Sequence, residues 1–437
     1  MMSYSLHPRK EFYSIADGIA NTWQVWCNAA SFFLWEECVE STRGMQRNLH
    51  LLFWGRAFLE IKVLAAVLVL FYRSRGLTME QIFHLTIVWS VTALVCEVPS
   101  GYMADVIGRK KTILIGTALF LFSQVDRVYA TTYPEFAFQF VLLSASHACF
   151  SGTKEALLYE SLKALGREDE MMLQHGRLSS ANQIFKIVGP IIGAVVAKDL
   201  TETQYTILLW TDAAVACMAF LLFLFLTEPP HVKQVLEEEV GIFTESLQTL
   251  KANAWMMRVS LFKILVFTGA FCAWRVYQPI LAEHGVSAIW LGAFYAFTSI
   301  IGFLGTWFLG WIGKRIGMTV FVTGMTILSI AMYLISILSS NPVAMYVAFL
   351  VIISCSIFLE PAFSQMVNAH VQSKSRATTL SHLNMLKSIV DIPLIFLAAS
   401  ISMLDLRLPL VLGYILCRVA LFILPTSRTE REHPSTP

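Results

Sequence analysis

Gly101-Tyr102-Met103-Ala104-Asp105-Val106-Ile107-Gly108-Arg109-Lys110-Lys111 is a glycine-bounded, basic stretch at the junction of two long apolar segments, about 79–103 and 112–132. Each segment is long enough to cross the hydrocarbon of a bilayer as a helix, which takes ~20 residues. Arg109 and Lys110 would stay at the lipid headgroups and fix which way the pair runs. Outward from this junction the same reading gives twelve spans: 49–72, 79–103, 112–132, 136–159, 175–198, 204–227, 256–280, 286–312, 317–338, 343–366, 378–402 and 407–425. The predicted fold class is an all-α membrane protein, its twelve transmembrane helices arranged as two six-helix pseudo-repeats.

Composition supports lipid as the solvent. Hydrophobic residues make up 56% of the 437 and charged residues 14%, with 31 Phe and 11 Trp. A soluble domain carries roughly a quarter charged residues. The mean hydropathy of +0.62 leaves too little polar surface to coat a soluble fold. A soluble enzyme and a disordered chain are thereby excluded, and the net charge of +2 gives no field for a nucleic acid. The eight scattered Cys form no CxxC pair and read as small buried hydrophobes, so no metal site and no cofactor are expected.

The longest break, 228–255, holds Pro229, Pro230 and Glu237-Glu238-Glu239 and reads as a solvated linker between bundles 49–227 and 256–425. Lys and Arg crowd one set of span ends by about three to one. That bias places both termini, the linker and the 426–437 tail in the cytoplasm of a cell whose inner membrane holds the protein. The halves echo each other: Arg56 and Leu59 recur as Arg258 and Leu261, and LSSAN at 178–182 recurs as LSHLN at 380–384, both at an offset of 202. GYMADVIG at 101–108 is matched by GWIGKRIG at 310–317. An internal duplication is a frequent plan among secondary transporters. Residues 1–48 show Ile15, Ile19, Trp23, Trp26, Ala30 and Phe33 at helical spacing and read as an amphipathic interfacial helix. The competing reading is a start of translation at Met45. No cleavable signal is visible in this segment.

The 101–111 stretch, placed between spans two and three, resembles the loop signature of the major facilitator superfamily. Glu97-Val98-Pro99-Ser100 and SGTKEALLYESL at 151–162 are similar to its bacterial drug-exporter-like branches. The resemblance covers about 49–425. It implies a conformational latch made by Gly101, Asp105, Gly108, Arg109 and Lys110, holding the cytoplasmic ends together in the outward-open state. Val106 stands where the family has a basic residue, and the second copy has Lys314 where Asp105 would be. Gly189-Pro190-Ile191-Ile192-Gly193-Ala194 resembles the family's antiporter motif, with Phe185 and Ala194 in place of Gly. Pro190 can bend the helix, and Gly189 and Gly193 allow close packing. Where exporters of this type often carry Arg in span four, the chain reads Ser144-Ala145-Ser146-His147-Ala148. His147 is a candidate proton site or a hydrogen-bonded packing residue.

An ionisable residue deep in a span costs roughly 2.5–3.5 kcal/mol. The chain has many: Arg56, Lys62, Lys154, Lys186, Lys263, Arg275, Lys387 and Arg418 against Glu60, Glu97, Glu155, Asp212, Glu360 and Asp391. Arg56 with Glu60, and Lys387 with Asp391, are four apart and share a helix face. Arg56, Lys186, Arg275 and Lys387 are the candidate substrate-binding cations. Glu60 and Asp391, each beside a cation, are the preferred proton-coupling acids, followed by Glu360 and His147.

The expected function is secondary active transport by alternating access in a monomer with no nucleic-acid partner. The favoured form is a proton-coupled antiporter exporting a drug or a small polar anionic or zwitterionic metabolite, a siderophore-like carboxylate being one conceivable cargo. The alternatives are a proton-coupled importer of an organic anion, a non-transporting membrane receptor and a lipid transporter. No HExxH, GxSxG or Walker loop marks an enzyme.

Overall fold

The computed structural model describes residues 42–229, 254–368 and 376–424. The interfacial helix anticipated within 1–48 lies outside those residues up to 41, as do most of the linker and the tail. The regular structure described is helical. In chain order it comprises α1 (42–60), a 3-10 turn Val63–Val67, α2 (Leu68–Ser74), α3 (Met79–Ile107), α4 (Arg109–Tyr129), α5 (Tyr133–Phe150), α6 (Thr153–Ala164), α7 (Met171–Val196) and α8 (Glu202–Leu224). The second half contributes α9 (Ala254–Glu283), α10 (Ala288–Ile316), α11 (Met318–Leu338), α12 (Pro342–Asn368), α13 (Arg376–Ser402) and α14 (Leu408–Ile423). Among the described residues α3, α8, α9, α11 and α12 are each long and apolar enough to cross a membrane.

Two spans depart from the continuous helices expected. The first, 49–72, begins earlier and is broken at Ile61-Lys62, where α1 gives way to the 3-10 turn and then α2. Its counterpart α9 runs unbroken through Pro279, so the two halves are not copies here. The break has partners for its freed backbone. Asp212 Oδ1 on α8 accepts the Val63 N–H at 2.9 Å. Gln278 on α9 inserts its amide between Ala65 and Val69, which would otherwise bond to each other one turn apart. Its Nε2 donates to the Ala65 carbonyl at 3.0 Å, and its Oε1 accepts the Val69 N–H at 2.8 Å. A side chain set into the ladder in this way is a recognised cause of a break. The fourth span, expected over 136–159, is interrupted at Ser151-Gly152, where Gly152 adopts φ 70° between α5 and α6.

Gly108 alone separates α3 from α4. Its φ of 100° is open to glycine and strained for other residues. The Glu228 carboxylate, just past α8, accepts the backbone N–H groups of Arg109 and Lys110 at 2.6 and 2.8 Å. A carboxylate at a helix N-terminus answers both the orphan donors and the dipole.

The two halves are tied together at the end of the bundle opposite the 101–111 junction. There Arg73 pairs with Glu283 at 3.2 Å, Gln278 holds the first span, and Arg275 donates to Thr86 Oγ1 at 2.8 Å. His84 stacks on Phe396, with ring centroids 5.5 Å apart. α7 crosses α10 closely enough that a Cβ on Gly292 would lie 2.2 Å from the Ala194 Cβ.

Candidate functional site

A cavity of about 970 Å³ lies between the halves. Both halves line it: α1 with Arg56 and Glu60, the break with Lys62, α3 with Thr86 and Trp89, α4 with Arg127, α5 with His147, α6 with Lys154 and Glu155, and α8 with Asp212. The second half supplies Thr268, Phe271 and Arg275 from α9 and Lys387 and Asp391 from α13. Helix interruptions bring charge to this wall. The turn at Gly152 sets Lys154 and Glu155 against the cavity, and the break at Ile61-Lys62 does the same for Lys62.

The Lys387–Asp391 pair forms as its spacing requires, with Nζ 2.5 Å from Oδ2. Asp391 is buried at 8% side-chain exposure, whereas Lys387, at 48%, reaches into open space. The other Asp391 oxygen contacts the Thr268 hydroxyl, which also reaches the Ile264 carbonyl at 2.8 Å.

Arg56 and Glu60, which share a helix face, do not pair with each other. Arg56 Nη1 reaches Glu155 Oε1 on α6 at 2.9 Å. Glu60 lies 3.8 Å from Lys62 Nζ and 3.7 Å from Lys186 Nζ. Interhelical geometry has overridden the local spacing. Lys186 reaches Glu60, which lines the cavity, but is not itself among the lining residues. Glu360 is also away from the cavity, held by Lys263 at 2.9 Å. His147 faces the cavity edge-on to Trp89, 5.5 Å between centroids.

Arg275 keeps unmet donor capacity at the cavity wall. Nη2 is spent on Thr86, the guanidinium lies 4.9 Å over Phe271, and the buried Nε has no acceptor. No carboxylate among the described residues forms an ion pair with it. Across the described lining, six Lys and Arg face four carboxylates.

Three important groups are not among the candidate site residues that the sequence singles out. Arg127, in the last turn of α4, is buried 3.8 Å from Asp212. Lys154 stands over the Phe150 ring at 3.8 Å. Gln278, an amide inside an apolar helix and beside Pro279, carries the signal of an interhelical bond.

At the opposite end of the molecule, Asp105 is 55% exposed and pairs with Arg109 of its own half at 2.8 Å. Gly101 has open space around it, so it is not a close-packing position. Gly189 and Gly193 are. A Cβ on Gly193 would lie 1.7 Å from the Val63 carbonyl oxygen, and one on Gly189 2.9 Å from the Lys62 nitrogen. Pro190 lies within α7 between them, and its carbonyl faces Gly292.

Two helical halves around a charged central cavity define a secondary transporter. The model for the Major Facilitator Superfamily matches residues 56–392, and the chain belongs to that family of multi-pass membrane transporters, which are not enzymes. The fold is similar to the crystal structure of the nucleoside transporter NupG, at 14% identity, a TM-score of 0.70 and coverage of 86% of this chain and 100% of that one. It is equally similar to a bacterial homolog of the human lysosomal transporter Spinster in an inward-facing, unoccupied conformation, at 15% identity, a TM-score of 0.70 and coverage of 91% and 99%. A D-xylose–proton symporter aligns at 12% identity and a TM-score of 0.61, over 87% and 96%. No curated protein sequence matches the chain.

Proposed function

We propose that the protein is a proton-coupled antiporter that exports a small organic anion or zwitterion, with the basic end of the bundle in the cytoplasm. The observation that carries the anionic cargo is Arg275, a cavity guanidinium with no carboxylate partner among the described residues. A guanidinium offers five donors in a planar fork, and a carboxylate or phosphate matches two of them at once. With the basic end inside the cell, the closure at the opposite end makes this the cytoplasm-facing state, ready to load cargo for export.

Lys387 and Asp391 supply the coupling. The cationic group of a zwitterionic cargo and a proton would compete for the Asp391 carboxylate beside Lys387, so that loading one displaces the other. Thr268 supports that reading. Its one hydroxyl proton faces two acceptors, Asp391 and the Ile264 carbonyl, and a proton on Asp391 would satisfy both.

The test is transport in proteoliposomes bearing a proton gradient, across a panel of carboxylates, phosphates and neutral drugs. Arg275→Gln should weaken anion binding roughly tenfold to a hundredfold, the worth of a hydrogen bond to a charged group. Asp391→Asn should abolish proton-driven accumulation while leaving passive exchange in place. Transport of neutral drugs alone, unchanged by either substitution, would sink the proposal.

A further inference from the structure

A second cavity, of about 560 Å³, lies outside the transport path at the basic end, between the start of α1 and the α6–α7 turn. Arg43, Arg47 and His50 line it from α1, Arg167 from the turn, and Gln174 and Arg177 from α7. Behind them Leu158 and Leu178 are almost fully buried and, with Phe53, form an apolar floor.

The cations outnumber their partners. Arg167 is answered by Glu170 through two hydrogen bonds of 2.6 Å, and that contact holds the Glu170 carboxyl below its ordinary range. Arg47 spends one nitrogen on Thr227 Oγ1 at 3.2 Å. No carboxylate among the described residues forms an ion pair with Arg43, Arg47 or Arg177. Guanidinium groups converging on a recess are suited to a tetrahedral oxyanion. A soluble anion has no use for the leucine and phenylalanine floor, whereas an amphiphile does. The recess also sits at span ends rich in Arg and Lys, where headgroups lie.

We infer that this recess binds the phosphate of an anionic phospholipid, with the arginines on the headgroup and the start of its acyl chains on the apolar floor. The site is separate from the transport cavity, so it stands whether or not the cargo is anionic. A lipid bound there would join α1, the element that carries Arg56 and Glu60, to α7, the element that carries Lys186.

The experiment titrates the purified full-length protein in neutral detergent with short-chain phosphatidylglycerol, with phosphatidylcholine of the same chain length and with inorganic phosphate, and reads binding by native mass spectrometry and calorimetry. Phosphatidylglycerol should bind more tightly than phosphatidylcholine. Each arginine removed should weaken it roughly fivefold, the effect of one basic residue near an anionic headgroup. Arg43→Gln with Arg177→Gln should therefore lose most of the binding, and the Lys versions at the same two positions should keep much of it. If the double variant unfolds, Arg43→Gln alone decides the matter, because Arg43 is exposed at the start of α1. Equal binding of phosphatidylcholine, or undiminished binding by the variants, would overturn the inference. Inorganic phosphate displacing phosphatidylglycerol at matched concentration would overturn the lipid assignment and make the recess a site for soluble anions.

Discussion

At the scale of single residues, glycine decides where backbones touch. Gly193 presses on the Val63 carbonyl so closely that a methyl group would fall at 1.7 Å, against backbone that cannot swing aside. Gly193→Ala should therefore force α7 away from the first span. The cost should be at least the ~1–3 kcal/mol of ordinary overpacking, read as a lower melting temperature and lost transport. Gly101→Ala meets nothing within 4 Å and should melt like the parent protein; an equal loss from both substitutions would refute this account. The sequence alone distinguishes these glycines poorly, because both belong to recognisable motifs and only the facing helix differs. The same limit applies to charge. Lys387–Asp391 is legible from its spacing because the two residues are each other's partners. Arg56 and Glu60 have the same spacing, yet their partners arrive from α6, the break and α7.

At the scale of elements, the twelve-span plan, the junction at 101–111 and the placement of most spans follow from hydropathy and turn residues. The two interrupted spans do not. Val63-Leu64-Ala65-Ala66-Val67 is as apolar as any helix interior, and the cause of its break lies on α7, α8 and α9. Asp212 is the partner at the start of the break. Asp212→Ala should leave the buried Val63 N–H without an acceptor and Arg127 without its carboxylate. The expected loss is about 1–3 kcal/mol for the backbone group, more with the cation included. Asp212→Asn keeps an oxygen for Val63 and should fold nearer to the parent in thermal melts. If Ala and Asn melt alike, Asp212 does not hold the break and its role lies with Arg127 alone.

At the scale of the whole molecule, the halves close at one end through side chains that reach from one half to the other. Gln278 is the most exacting of them. Its amide substitutes for the bond that Ala65 and Val69 would make with each other, so the first span stays broken while the halves are closed. When the halves part, Gln278 leaves and the Ala65–Val69 bond can form, so the opened state loses little. Gln278→Leu therefore weakens the closed state selectively. Leucine fills the space but cannot meet two buried backbone groups, at a cost of about 1–3 kcal/mol. The open population should then rise roughly fivefold to a hundredfold. Spin labels at Glu80→Cys and Ser287→Cys, in a background without the native cysteines, should report longer separations at that end. Asp105→Asn should act in the opposite direction. Asp105 is exposed and serves only its own half here, so its loss leaves this closure intact while removing the proposed latch of the alternate state. A distance distribution unmoved by Gln278→Leu would mean that the wedge merely fills a packing defect and that closure rests on the α7–α10 crossing.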